Sequence, residues 1–164
     1  MMGRWLAVLV LVAGLATVGC SSKSSTPAPA KRASCEQTDG PSDATVRRAI
    51  ASVPVVVPGA RTVEIARGHT RNCRLYWVQV IPTIASESTP QQVLFFDRNT
   101  PLGPATPQPR PYVAVLPAGQ DTVTIQYRWR RGNDKECCPS GSGTVKFEIG
   151  PDGKLKALGP IPSG

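Results

Sequence analysis

Thr122-Val123-Thr124-Ile125-Gln126-Tyr127-Arg128-Trp129-Arg130 is the stretch whose reading decides the fold. Val123, Ile125, Tyr127 and Trp129 fall on one side of an extended chain, and Thr124, Gln126, Arg128 and Arg130 on the other. That period of two marks an antiparallel strand with one buried and one wet face. Downstream, Thr144 to Ile149 repeats the pattern with Val145, Phe147 and Ile149 inward. Gly150-Pro151-Asp152-Gly153 then supplies turn chemistry into Lys154 to Leu158, so a second hairpin is expected.

Upstream the strands change character. Leu75 to Ile81, ending at Pro82, and Val93-Leu94-Phe95-Phe96, ending at Asp97-Arg98, are apolar on both faces. Each therefore needs cover on two sides. Residues 55–66, another molecule or a lipid would each provide it; cover by the chain itself is the commoner solution, since monomers rarely expose patches of that size. One helix is expected. Ser42 is its N-cap, Asp43 complements the helix start, and Val46, Ala49, Ile50 and Val53 share a face before Pro54 ends it. Short β-like pieces, Val55-Val56-Val57 and Thr62 to Ala66, flank Pro58-Gly59. Residues 99–111 hold five prolines, a stiff connection covering one side of the sheet. The expectation is an α+β domain: one N-terminal helix packed on an antiparallel sheet of five or six strands, stapled by disulfides.

The N-terminus reads as an address. Arg4 precedes an uncharged run from Trp5 to Gly19, and Thr17-Val18-Gly19-Cys20 has the form of a lipobox. The run is 15 residues, short of the roughly 20 that a spanning helix takes. Residues 1–19 are thus read as a lipoprotein signal peptide. Cys20 becomes the lipidated N-terminus, two acyl chains being what stable anchoring requires. Residues 20–34, with the Ser/Pro-rich run SSKSSTPAPAKRAS after Cys20, form a disordered tether, and residues 35–164 one ectodomain. The expected location is the cell membrane or outer envelope, extracytoplasmic face, with the membrane as partner through the lipid anchor.

Five cysteines less lipidated Cys20 leave Cys35, Cys73, Cys137 and Cys138, an even number in an oxidising compartment. Two disulfides are expected. A Cys137–Cys138 bond is disfavoured, because adjacent Cα atoms lie about 3.8 Å apart, below the usual 4.4 Å or more. Cys35 and Cys73 would then each pair with one member of the doublet, in either order. The competing reading is a zinc site of His69, Cys73, Cys137 and Cys138, which adjacent cysteines and export both disfavour.

The order Val93 to Asp97, Leu102-Gly103-Pro104-Ala105-Thr106, Asp121 to Arg128, Cys138-Pro139-Ser140-Gly141 and Val145-Lys146-Phe147 resembles the LppP/LprE family of actinobacterial lipoproteins. The likeness runs from about Pro90 to Pro160, with the signal and tether plan shared. It implies an exported, envelope-anchored protein of mycobacterial type, and brings no catalytic residues with it.

No catalytic signature emerges. His69 is the only histidine and reads as a surface-loop residue; Pro139-Ser140-Gly141-Ser142-Gly143 fails the nucleophile-elbow spacing; no phosphate loop, dinucleotide fingerprint or HExxH is present. No cofactor and no metal are expected, and the chain is read as a non-enzyme. The net charge is +8, or +7 once Arg4 leaves with the signal, which suits anionic headgroups or polymers. Export argues against nucleic acid as a partner. Arg128, Arg130, Arg131, Lys146, Lys154 and Lys156 would line an anionic-ligand face, or simply solvate the sheet and guard its edge. Two functions remain: binding or carrying an envelope amphiphile, suggested by the doubly apolar strands beside a basic face, or scaffolding other envelope proteins, suggested by the proline loop and tether. Oligomeric state stays open.

Overall fold

Residues 35–163 are described by a computed structural model, in which the alternating stretch is realised as a central strand of a four-stranded sheet. In chain order the elements are a 3-10 turn Gln37–Asp39, helix α1 Asp43–Ala51, and strands β1 Thr62–His69, β2 Leu75–Pro82, β3 Gln92–Asp97, β4 Thr100–Pro104, β5 Val113–Val115, β6 Val123–Trp129, β7 Gly141–Ile149 and β8 Leu155–Ala157. They build two four-stranded antiparallel sheets, each a meander in sequence order: β1-β2-β3-β4 and β5-β6-β7-β8.

β6 pairs with β7 so that Val123 faces Phe147 and Ile125 faces Val145. β7 turns through Gly150–Gly153 into β8, where Ile149 faces Leu155. The Gly150 amide closes that turn on the Lys154 carbonyl at 2.8 Å, and Gly153 takes a left-handed φ of 75°. The inner side of this sheet, Val113, Val123, Ile125, Tyr127, Val145 and Phe147, packs onto Leu75, Val93 and Phe95 of the first sheet. The Phe95 and Phe147 rings meet at 5.1 Å between centroids.

The opposite face of the first sheet carries Tyr76, Val78, Val80, Leu94 and Phe96, and α1 closes it with Val46, aided by Ala49, Ile50 and Val53. Ser42 caps the helix as expected, its hydroxyl accepting from the Thr45 amide at 3.2 Å. The doubly apolar β2 and β3 therefore lie in the middle layer of three, with a sheet on one side and a helix on the other. Val78 and Phe96 are both fully buried. The cover is the chain's own, at about 1.5 to 3 kcal/mol of favourable transfer for each large apolar side chain.

Two expectations are corrected. The single five- or six-stranded sheet under one helix, the α+β reading, is replaced, among the described residues, by eight strands in two sheets with one nine-residue α-helix. The difference lies in the proline-rich stretch. Residues 100–104 pair with β3 as an edge strand, where Pro101 and Pro104 sacrifice little pairing. The chain then crosses to the second sheet and starts β5 straight after Tyr112, whose φ is +54°. Residues 55–57 form no strand.

The second correction concerns the cysteines. Cys35 bonds Cys73, with Cα atoms 5.4 Å apart, and Cys137 bonds Cys138 at 3.8 Å. Cys73 sits in the β1–β2 turn, whose Arg71 and Asn72 amides donate to the Gly119 and Gln120 carbonyls just before β6. Cys137 and Cys138 follow the far end of β6. A cross-pairing would have to span the length of that strand, roughly 20 Å at about 3.3 Å per residue. Within the doublet, a turn closed by the Cys138 amide on the Lys135 carbonyl, 3.0 Å, accompanies the bond between neighbours. The usual separation range describes bridges between distant residues and does not forbid this one.

Candidate functional site

β1 is an edge strand, and at its C-terminal end the segment that precedes α1 folds back across it. The Cys35–Cys73 bridge fixes the start of that segment. The Glu36 amide donates to the Asp39 carboxylate at 3.0 Å, and the Ser42 amide donates to Asn99 Oδ1 in the β3–β4 turn at 2.9 Å. Between segment and strand lies an open cleft of about 500 Å³, lined by Cys35, Glu36, Gly40, Pro41, Arg67, Gly68, His69, Tyr76 and Trp77. Its size falls in the range of small-molecule sites.

Two glycines make the room. Gly68 pairs with Trp77 across the β1–β2 ladder, and a Cβ there would meet the indole at 2.7 Å. A Cβ on Gly40 would meet the Tyr76 ring at 2.7 Å. Tyr76 and Trp77 are sequence neighbours on a strand and so point to opposite faces of the sheet. Both reach the cleft because the sheet ends here.

Arg67 is tied to Glu64, Nη2 to Oε2 at 2.7 Å, and reaches Asp43 at 3.4 Å. The Glu64 hydrogen bond chiefly raises its pKa, so the guanidinium arrives at the cleft already paired. His69 places Nδ1 at 3.0 Å from the Thr70 carbonyl and 3.2 Å from Cys35 Sγ, with its ring 5.3 Å from that of Tyr76. A carbonyl only accepts, so Nδ1 carries a proton and Nε2 is the ring nitrogen left to face the cleft. Tyr76 is 7 % exposed, and its hydroxyl is buried with no hydrogen-bond partner among the described residues. Burial, with Asp39 nearby, pushes its pKa up. The cleft thus offers aromatic rings, an imidazole, a guanidinium already paired and the Glu36 carboxylate.

The residues singled out in the sequence separate. His69 ends β1 rather than lying in a loop, and it is exposed in the cleft. Cys20 and the signal lie outside the described residues. Arg128, Lys146 and Lys156 share the outer face of the second sheet, but Lys156 faces Glu148 at 4.0 Å and Arg128 donates to the Pro139 carbonyl. Arg130 and Arg131 belong to the β6–β7 loop, with Arg131 stacked 5.4 Å from the Trp129 ring. Lys154 sits past the β7–β8 turn, at the other end of β7. No continuous basic face results. Of the zinc candidates, His69 and Cys73 lie at one end of the sandwich, whereas Cys137 and Cys138 follow the far end of β6. Among the described residues no group of three or more His, Cys, Asp and Glu is gathered as a metal would need. Gly40, Gly68, Tyr76 and Trp77 were not singled out, and the only signal was an aromatic doublet entering a strand opposite a glycine.

Fold and site together define a small disulfide-closed β-sandwich with an aromatic cleft at one sheet edge. Among the described residues no helix is long and apolar enough to cross a membrane. The chain belongs to the LppP/LprE lipoprotein family, whose match covers residues 67–152. Proteins named as lipoprotein LppP from Mycobacterium bovis and from two strains of Mycobacterium tuberculosis are 64 % identical to it over 151 residues, covering 92 % of this chain and 86 % of theirs. Membership makes it a membrane-anchored lipoprotein of the cell envelope. No solved structure matches.

Proposed function

We propose that this lipoprotein is a non-enzymatic binding module, held on the extracytoplasmic face through Cys20, that takes the polar head of an envelope amphiphile in the cleft at the end of β1. The observation that carries this reading is the cleft itself: about 500 Å³ beside the Trp77, Tyr76 and His69 rings, with its one guanidinium already neutralised. Such a surface favours a ring-bearing head without negative charge, because aromatic faces pack on apolar ring edges while the imidazole and the Glu36 carboxylate are placed to hydrogen-bond its hydroxyls. The acyl chains of the ligand stay outside, since the apolar faces of β2 and β3 are filled by α1 and the second sheet.

The test is native mass spectrometry of the full lipoprotein, purified in mild detergent from an actinobacterial host. Wild-type protein is expected to carry an added amphiphile mass that His69→Ala loses in large part, with the melting temperature unchanged. Protein that flies bare after incubation with host lipid extract contradicts the reading.

A second reading, a scaffold for other envelope proteins, is favoured by the edge of the first sheet. Val63 and Ile65 on β1 and Ile84 just past β2 are 36 %, 52 % and 62 % exposed, beside a strand with one unpaired side. The proline-rich stretch no longer supports it, being built into β4 and the crossing to β5.

A further inference from the structure

The loop between β6 and β7 carries both members of the Cys137–Cys138 disulfide in exposed positions. That loop is shaped by other bonds. The Asp134 carboxylate accepts from the Arg131 amide at 2.8 Å, the Ser140 amide at 2.7 Å and the Ser140 hydroxyl at 2.8 Å. Arg130 Nε donates to the Asp134 carbonyl at 3.0 Å, and the Tyr112 hydroxyl donates to the Glu136 carbonyl at 2.7 Å. Ser86 and Ser88 hold the Glu136 carboxylate from the β2–β3 loop.

A bridge stabilises a fold chiefly by closing a loop in the unfolded chain, by an amount that grows with loop length. Cys35–Cys73 spans a sequence separation of 38, whereas Cys137–Cys138 spans 1 and closes essentially nothing. By linkage, a bond that gives the fold no stability receives none from it. Folding therefore protects the first bridge from reduction and leaves the second at the poise of an exposed disulfide. Residues 128–140 also contain four cationic side chains, Arg128, Arg130, Arg131 and Lys135, against Asp134 and Glu136. Both carboxylates are occupied by the hydrogen bonds above. A thiolate leaving Cys137 or Cys138 departs into a loop whose side chains sum to a net positive charge, which favours its departure.

We propose that Cys137–Cys138 is a reversible two-electron exchange site for a dithiol protein of the envelope. A partner thiolate attacks one Sγ, the S–S bond breaks, and the other Sγ leaves as a thiolate that takes a proton from water. The partner's second thiol, deprotonated, attacks the mixed disulfide and releases the remaining cysteine. The partner loses two electrons and two protons to become a disulfide; Cys137 and Cys138 gain both and become thiols. The fold is unchanged by the cycle.

The test uses the full oxidised lipoprotein in detergent micelles, equilibrated over graded ratios of reduced to oxidised dithiothreitol, acid-quenched, differentially alkylated and mapped by peptide mass spectrometry. Cys137 and Cys138 are expected to label together at a ratio at least tenfold less reducing than the one that opens Cys35–Cys73, about 30 mV. The near-ultraviolet circular dichroism stays constant, and the pair closes again when the ratio is reversed. Opening of all four cysteines together, loss of the near-ultraviolet signal with Cys137–Cys138, or peptides that join either residue to Cys35 or Cys73 would overturn the proposal.

Discussion

Replacing Cys35 and Cys73 together by serine removes the one bridge that closes a long loop, and the size of the loss follows from the structure. With a sequence separation of 38, the chain-entropy relation gives about 4 kcal/mol at room temperature. A domain of roughly 130 residues unfolds with an entropy near 0.27 kcal/mol/K, so the midpoint should fall by on the order of 15 °C. The assay is a thermal melt of the full lipoprotein in mild detergent, followed by near-ultraviolet circular dichroism, where Trp77 and Trp129 report tertiary packing. Replacing Cys137 and Cys138 by serine is the matched control, with a midpoint within about 2 °C of wild type, since adjacent residues close no loop. A Cys35/Cys73 variant that melts within a few degrees of wild type, or a control that falls as far, would refute the assignment of one structural and one non-structural bridge.

Tyr127 is 1 % exposed, its hydroxyl has no partner among the described residues, and burial pushes its pKa up to about 12. Tyr127→Phe removes that unpaired group and keeps the ring, so chemical denaturation should show unchanged or higher stability, by about 1 kcal/mol. Gly141 pairs with Trp129, and an added Cβ would run into the indole; Gly141→Ala should cost about 1 to 3 kcal/mol in the same measurement. The Arg131 amide first, then the Ser140 amide and hydroxyl, hold the Asp134 carboxyl below its ordinary 3.8. Because the folded value is the lower one, this ordering of the loop is fully present above that pH and is lost as pH falls through the folded pKa. Amide shifts of Arg131 and Ser140 should therefore move only in acid, and Asp134→Asn should abolish that titration.

Local patterning made some elements legible. Alternation from Val123 to Trp129 showed which side chains of β6 face inward, and Ser42 followed by Val46, Ala49, Ile50 and Val53 placed α1 and its buried stripe. The doubly apolar β2 and β3 announced a middle layer without saying what lies on each side. The split into two sheets was not readable, because it depends on β4 and β5. These are five and three residues long, one holding Pro101 and Pro104 and the other starting after a left-handed Tyr112. Strands that short carry no period. The basic residues divide: Arg128, Lys146 and Lys156 share one face, as their spacing along β6, β7 and β8 suggests, but the length of β7 separates Arg130 and Arg131 from Lys154. The cleft escaped notice because Tyr76 and Trp77 face opposite sides of β2 and converge only where the sheet stops.

Because α1 and the second sheet close both faces of β2 and β3, the proposed ligand has to meet this protein at the end of β1. Amide chemical-shift mapping of the full lipoprotein in micelles, titrated with lipid extract from its native envelope, tests it most directly. The predicted result is a cluster of shifted signals at Glu36, Gly40, Gly68, His69 and Trp77, with Val78, Val80, Leu94 and Phe96 unmoved. Shifts centred on those four core residues and on α1 would mean that the helix lifts from the sheet to admit the ligand, and would contradict the account.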